Sequence, residues 1–217
     1  LLSDFAHVKQ GRTVLDLCTG GGVIPLLLAG KTEADEIRGL EIQKEYADMA
    51  QRSILMNHLE NRVFIDCGDI KDIKKLYEPF SFSVVTVNPP YMIENHGLEN
   101  GYEPKTIARH EVLLTLEDVI AAASYVLPEK GSFYMVHKPF RVTEIIRVMK
   151  DYHLEPKRIR FVHPYVDKEP NMVLIEGVKG GKERVIIDAP LIVYKEKNVY
   201  TDEIYKIYHM ERSDKGA

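Results

Sequence analysis

Val84-Val85-Thr86-Val87, running into Asn88-Pro89-Pro90-Tyr91, limits the fold more than any other stretch of this chain. β-Branched residues suit a pleated, buried surface, and Thr86 is the one polar residue among them. The two prolines end the strand, because neither carries an N–H for a sheet ladder. An amide side chain, a rigid turn and an aromatic ring are left at the strand's carboxyl end. Open α/β sheets bind their ligands at that end.

These residues suit one kind of chemistry. An amino group on a nucleobase is a poor nucleophile, because its lone pair is delocalised into the ring. The Asn88 side-chain carbonyl and the Pro89 backbone carbonyl can each accept one of its N–H bonds, which orients the nitrogen. Tyr91 can stack on the base, a contact worth about 1–3 kcal/mol. No general base is needed at first, since the proton can leave after the methyl group arrives. The plainer reading is a Pro-Pro turn that only closes a strand.

A second motif weighs against the plainer reading. Thr13-Val14-Leu15-Asp16-Leu17 predicts a strand, and Cys18-Thr19-Gly20-Gly21-Gly22 a glycine turn that feeds a helix from Val23 to Ala29. Glycines let backbone approach a ligand, and a helix N-terminus favours a carboxylate or phosphate. About twenty residues on, Glu41 ends a second strand, where an acid can accept both ribose hydroxyls. Asp69 follows a third strand, Arg62 to Cys67, in reach of an adenine amino group. A dinucleotide-binding G-x-G-x-x-G counted from Gly20 and Gly22 needs a glycine where Pro25 stands.

Asp16-x-x-x-Gly20-x-Gly22, Glu41, Asp69 and Asn88-Pro89-Pro90-Tyr91 together resemble the class I S-adenosylmethionine-dependent methyltransferases that act on amino nitrogens. A wider ensemble is similar to the bacterial tRNA1(Val) (adenine-N6)-methyltransferase family. It comprises the Asn88 motif, Ala108-Arg109-His110-Glu111, Arg160-Phe161-Val162-His163-Pro164, Glu176-Gly177-x-Lys179-Gly180-Gly181 and Ala189-Pro190-Leu191-Ile192-Val193-Tyr194. One departure stands out: Cys18 replaces the first glycine of the family's Asp-x-Gly-x-Gly-x-Gly.

The resemblance implies a Rossmann-like α/β fold. Its centre is a mostly parallel seven-stranded sheet with an antiparallel edge strand and helices on both faces. It implies S-adenosylmethionine as cofactor, S-adenosylhomocysteine as product, and a tRNA substrate methylated on adenine N6 beside the anticodon. Asn88, Pro89, Pro90 and Tyr91 would be catalytic. Asp16, Cys18, Thr19, Gly20, Gly22, Glu41, Ile42, Asp69, Ile70 and Asn88 would line the cofactor pocket. Arg109, His110, Lys138, Lys157, Arg158, Arg160, Lys179 and Lys182 would contact RNA; for any one of them the alternative is an ordinary solvated surface. An unpaired anticodon loop makes extrusion of the target base inexpensive.

The remaining chain completes an alternating strand–helix pattern. An amphipathic helix is expected from Ile42 to His58, with Tyr46, Ala47, Ala50, Ile54 and Leu55 on one face. A short charged helix is expected from Asp69 to Tyr77. Met92 to Arg109 is a long irregular stretch, read as a substrate-side lid. Thr115-x-x-Asp118 marks a helix start. A fifth strand runs from Ser132 to Val136, placing His137-Lys138-Pro139 on the active-site edge. Helix Val142 to Tyr152 follows. Lys157 to Pro164 alternates charged and apolar residues, which predicts a strand with one basic face, antiparallel to a strand from Met172 to Gly177.

The 217 residues suit a single α/β domain spanning 1–217. The chain opens at Leu1 in what reads as a helix interior, so residues upstream are expected to be missing. Cys18 and Cys67 are expected in buried strand ends of a reducing, cytoplasmic protein. No Cys/His spacing suggests a metal, no apolar run suggests a membrane, and a protein partner is left undetermined. A net charge of −4 leaves RNA binding to a local basic face. Other substrates remain open on the same turn: a protein glutamine amide, or ribosomal RNA or DNA bases. A non-catalytic RNA-binding scaffold is disfavoured by the full set of Asp16, Glu41, Asp69 and Asn88.

Overall fold

A computed structural model describes residues 1–90 and 114–210. Strands β1 (Thr13–Leu17), β2 (Glu36–Glu41), β3 (Val63–Cys67), β4 (Val84–Val87) and β5 (Ser132–His137) form the parallel part of one sheet, in the order β3-β2-β1-β4-β5. β7 (Met172–Lys179) then lies antiparallel between β5 and β6 (Leu154–His163). Two short strands, β8 (Ile186–Ile187) and β9 (Leu191–Ile192), pair in parallel with successive parts of β6. Among the described residues the sheet therefore has nine strands rather than the expected seven. The extended tail covers β6, so the antiparallel pair is not the edge. β10 (Tyr194–Glu196) and β11 (Val199–Tyr200) form a separate hairpin.

Alternation along the strands creates two cores. Leu15, Leu17, Val85, Val87, Phe133 and Met135 pack toward the helices Leu116–Val126 and Val142–Asp151. Val14, Ile37, Val63, Val84, Tyr134 and Leu174 face the other way, toward the helices Leu2–Phe5, Val23–Lys31 and Asp202–Ile207. Burial on both faces explains why β4 carries three valines. Thr115 caps its helix as expected: its Oγ1 accepts the Asp118 N–H at 3.1 Å, and Asp118 accepts the Thr115 N–H at 2.9 Å.

Several expected boundaries and faces are corrected. The expected amphipathic helix from Ile42 to His58 is Lys44–Met56, and only Ala47, Ala50 and Ile54 of its expected face are buried. Tyr46 and Leu55 fall beside that narrow stripe and are exposed. The Asp69–Tyr77 segment is a 3-10 turn, Ile70–Asp72, followed by one helical turn, Ile73–Leu76. Cys67 is exposed, because it ends β3, which pairs with β2 alone among the described strands. Met92 to Arg109, the expected lid, lies outside the described residues. No described helix is long and apolar enough to cross a membrane.

Candidate active site

The carboxyl ends of β1, β2 and β4 meet at one buried acid. Asp16 sits directly opposite Thr86 in the β1–β4 register. Its Oδ1 accepts the Thr86 hydroxyl and its Oδ2 the Thr19 hydroxyl, both at 2.6 Å. The lone Thr of the β4 run is thus the cross-strand partner of a buried carboxyl. Burial pushes the Asp16 pKa up to about 7, against the opposing pull of the two hydroxyls.

The glycine turn follows. Cys18, Gly20 and Gly22 all adopt left-handed backbone, at φ 56°, 56° and 78°. Glycine takes that region freely, while Cys18 takes it with a side chain present. A Cβ on Gly22 would stand 2.9 Å from the Ala50 Cβ, so this glycine also lets the turn rest on the Lys44–Met56 helix. Above Gly20 the space is open: a Cβ there would meet nothing within 4 Å.

Glu41 locks the turn from the neighbouring strand. Its Oε2 accepts the Gly20 N–H at 2.8 Å, and its Oε1 accepts the Gln43 N–H at 2.9 Å. The side chain is buried, yet each oxygen holds a backbone donor, which fixes where any further donor must approach. Asp69 lies at the end of β3 and accepts the Lys71 N–H at 2.9 Å. Burial raises the Cys18 thiol to about 12, with Asp16, Glu41 and Asp69 adding in the same direction. The three acids therefore lie near the same turn. Ile42 is exposed beside them, whereas Ile70 is buried in the core.

At the end of β4, Asn88 is exposed, Pro89 buried and Pro90 half-buried. Tyr91, Arg109 and His110 lie outside the described residues. Two residues that sequence reasoning did not assign complete this edge. One is Thr86. The other is His137, whose Nδ1 accepts the Lys138 N–H at 2.7 Å. Burial pushes its pKa down to about 4, so it is neutral at pH 7. Sequence offered a signal for both: a polar residue in an apolar run, and a histidine at a strand's carboxyl end.

The basic residues are dispersed. Lys138 stands on the active-site edge, after β5. Lys179 pairs with Leu154 at the opposite edge, where its ammonium donates to the Ser124 carbonyl and lies 4.9 Å from the Phe80 ring. Lys157 donates to the Lys182 carbonyl at 2.6 Å near the same far edge. Arg158 bonds Glu176 at 2.8 Å and the Phe5 carbonyl at 2.7 Å. Arg160 bonds Glu203 at 2.7 Å and the Ala189 carbonyl at 3.0 Å. The expected single basic face is corrected accordingly: a bulge between Pro156 and Arg158 interrupts the alternation, and both arginines tie the tail to the sheet, Arg158 also through Asp188 at 3.6 Å and Arg160 through Glu203.

The pocket's chemistry fits S-adenosylmethionine. A buried carboxylate, Glu41, ends β2, Asp16 and Asp69 lie near the same turn, and the space above Gly20 is open. The fold and site are those of a class I methyltransferase that depends on S-adenosylmethionine. Residues 1–155 match the model of the methyltransferase small domain, and the chain belongs to that family. A tRNA1(Val) (adenine(37)-N6)-methyltransferase of Porphyromonas gingivalis is 30% identical over 197 residues, covering 89% of this chain and 76% of that protein. Its namesake from Aeromonas salmonicida is 26% identical, over 96% of this chain and 86% of that protein. Among solved structures, a predicted O-methyltransferase from Agrobacterium tumefaciens superposes with a TM-score of 0.78 at 20% identity, covering 96% of this chain and 94% of the other. At that identity the likeness speaks for the fold.

Proposed function

We propose that this protein methylates the exocyclic N6 of an adenine in a tRNA anticodon loop, at the position beside the anticodon of tRNA1(Val), in the cytoplasm. The observation that carries the reading is Asn88, exposed at the carboxyl end of β4 on the same sheet edge as the Asp16–Glu41 pocket. The names of the relatives support the substrate.

Bound S-adenosylmethionine supplies an electrophilic methyl group. Glu41 holds the ribose hydroxyls on its remaining lone pairs, and Asp69 with Ile70 borders the adenine end. Asp16 orders the turn through Thr19 and Thr86, which shapes the methionine end at Gly20 and Gly22. Asn88 and the Pro89 carbonyl accept the two N–H bonds of the substrate amine and turn its lone pair toward the donor. Tyr91 stacks on the base. Asn88 would hold the nitrogen while the C–N bond forms and the sulfonium S–CH3 bond breaks, leaving the neutral thioether S-adenosylhomocysteine, and the amine's extra proton would pass to solvent. Lys138, just after β5 on the same edge, would contact phosphate, and Arg109 and His110 are further candidates from the sequence.

The test is transfer of labelled methyl to total tRNA followed by nucleoside analysis. A new N6-methyladenosine peak is expected. Label on ribosomal RNA or on a protein glutamine would replace the substrate. Asn88→Ala is expected to cut transfer about 10²–10³-fold, as loss of an orienting group at a reacting centre does, while cofactor affinity stays unchanged. A wild-type rate would remove Asn88 from the mechanism.

A further inference from the structure

The sheet carries a second furnished end. At the amino edge of β4 and β5, opposite Asn88, a cleft of about 420 Å³ opens. Lys9, Arg12 and Lys130 project into it, and Ser83, Ser132 and Tyr134 line its floor. All three cationic side chains are exposed, and none makes an ion pair or hydrogen bond among the described residues. The arginines of β6, by contrast, are held by carboxylates.

Two acids also line the cleft, and one of them is paired. Glu176 accepts from Arg158 at 2.8 Å. Glu129 lies against Gly180 and acts electrostatically on Lys179. The three cations therefore outnumber the one cleft carboxylate that makes no ion pair among the described residues, in a chain whose net charge is −4. Lys130 adds a backbone observation. It sits at φ 66° in the turn closed by the Gly131 N–H to the Pro128 carbonyl at 2.9 Å. Glycine would take that conformation freely, yet the chain places a lysine there, aimed at the cleft. The Lys130, Gly131 and Ser132 N–H groups are all used within the fold, so an anion would be gripped by side chains.

We propose that this cleft is a phosphate-binding site, separate from the methyl-transfer site. Three unpaired cations lining one concave surface suit a phosphate, whether from an RNA backbone or from a small phosphorylated molecule. The inference does not depend on the identity of the methylated base.

The full chain is titrated with inorganic phosphate and with pyrophosphate while amide resonances of Gly131 and Ser132 are followed. In parallel, tRNA affinity is measured as a function of salt. The variant K9Q/R12Q/K130Q is compared with wild type. Saturable shifts that vanish in the variant, with an unchanged salt slope for tRNA, identify a small phosphorylated ligand. A salt slope that flattens by about 2 in the variant, at about 0.7 for each phosphate no longer neutralised, identifies the RNA backbone. Neither saturable shifts nor a change of slope overturns the proposal. Lys130→Gly guards against misfolding: it should leave the melting temperature unchanged or raised while weakening phosphate or tRNA binding severalfold. Full retention of both affinities in that variant would equally overturn the proposal.

Discussion

The two flanks of the sheet handle charge in opposite ways. Around β1 and β2, carboxylates are buried and held by hydroxyls and backbone N–H groups: Asp16 by Thr19 and Thr86, Glu41 by Gly20 and Gln43. Around β6 and β7, guanidinium groups are half-buried and held by carboxylates: Arg158 by Glu176, Arg160 by Glu203. The first arrangement leaves negative charge without a matching cation, which is a binding site in waiting. The second cancels charge internally, which is a fastening. A charged side chain near a ligand edge is informative only once its partner is known.

Removing an acid from the first flank should have the largest effect. Glu41→Ala deletes two hydrogen bonds to a charged group, each worth about 1.5–3 kcal/mol, so cofactor affinity should fall by about two decades or more. Unchanged affinity by calorimetry would take Glu41 out of the pocket.

The next prediction concerns pH. Asp16 titrates at about 7 in the fold and at its ordinary 3.8 when unfolded. Between those values the native state binds more protons, so its contribution to stability is present below about pH 4 and lost as pH rises through 7. The loss is on the order of 4 kcal/mol. His137 acts in the opposite sense: its pKa falls from 6.5 to about 4, so its contribution is present above 6.5 and lost as pH falls toward 4. The two slopes oppose each other in the wild type. Asp16→Asn should therefore leave stability rising with pH across about 4 to 6.5, measured by denaturant titration. A variant whose profile matches wild type would show that Asp16 is not the group responsible.

On the second flank, Arg158→Ala should cost about 1–2 kcal/mol of stability, discounted for partial exposure of the pair, and leave cofactor affinity alone. A cofactor defect would join the two flanks that the comparison separates. The smallest effect is expected from Cys18→Gly. Relieving a left-handed residue with a side chain should add about 1 kcal/mol. A loss of stability instead would mean that the thiol's packing outweighs the strain.

Much of this was legible in residue order. The Val84–Val87 run, the glycine turn and the capping box are local, so period, turn chemistry and hydrogen-bond reach announce them. Ends of parallel strands share one edge, so Asp16, Glu41, Asp69 and Asn88 could be gathered from their spacing alone. The basic residues could not. Lys157, Lys179 and Lys182 sit close in sequence to strands that run in opposite directions, and only the pairing shows which edge each one reaches. Arg158 and Arg160 find acids 18 and 43 residues away.

The class of fold, the three acids at strand ends and the amide after β4 could be read from residue order, because those features depend on short-range chemistry and a strict strand period. Tertiary structure decided that Thr86 serves Asp16, that the arginines fasten the tail, and that Lys9, Arg12 and Lys130 meet across a cleft. Each of those depends on contacts between residues far apart in the chain, whose register and direction no local pattern encodes.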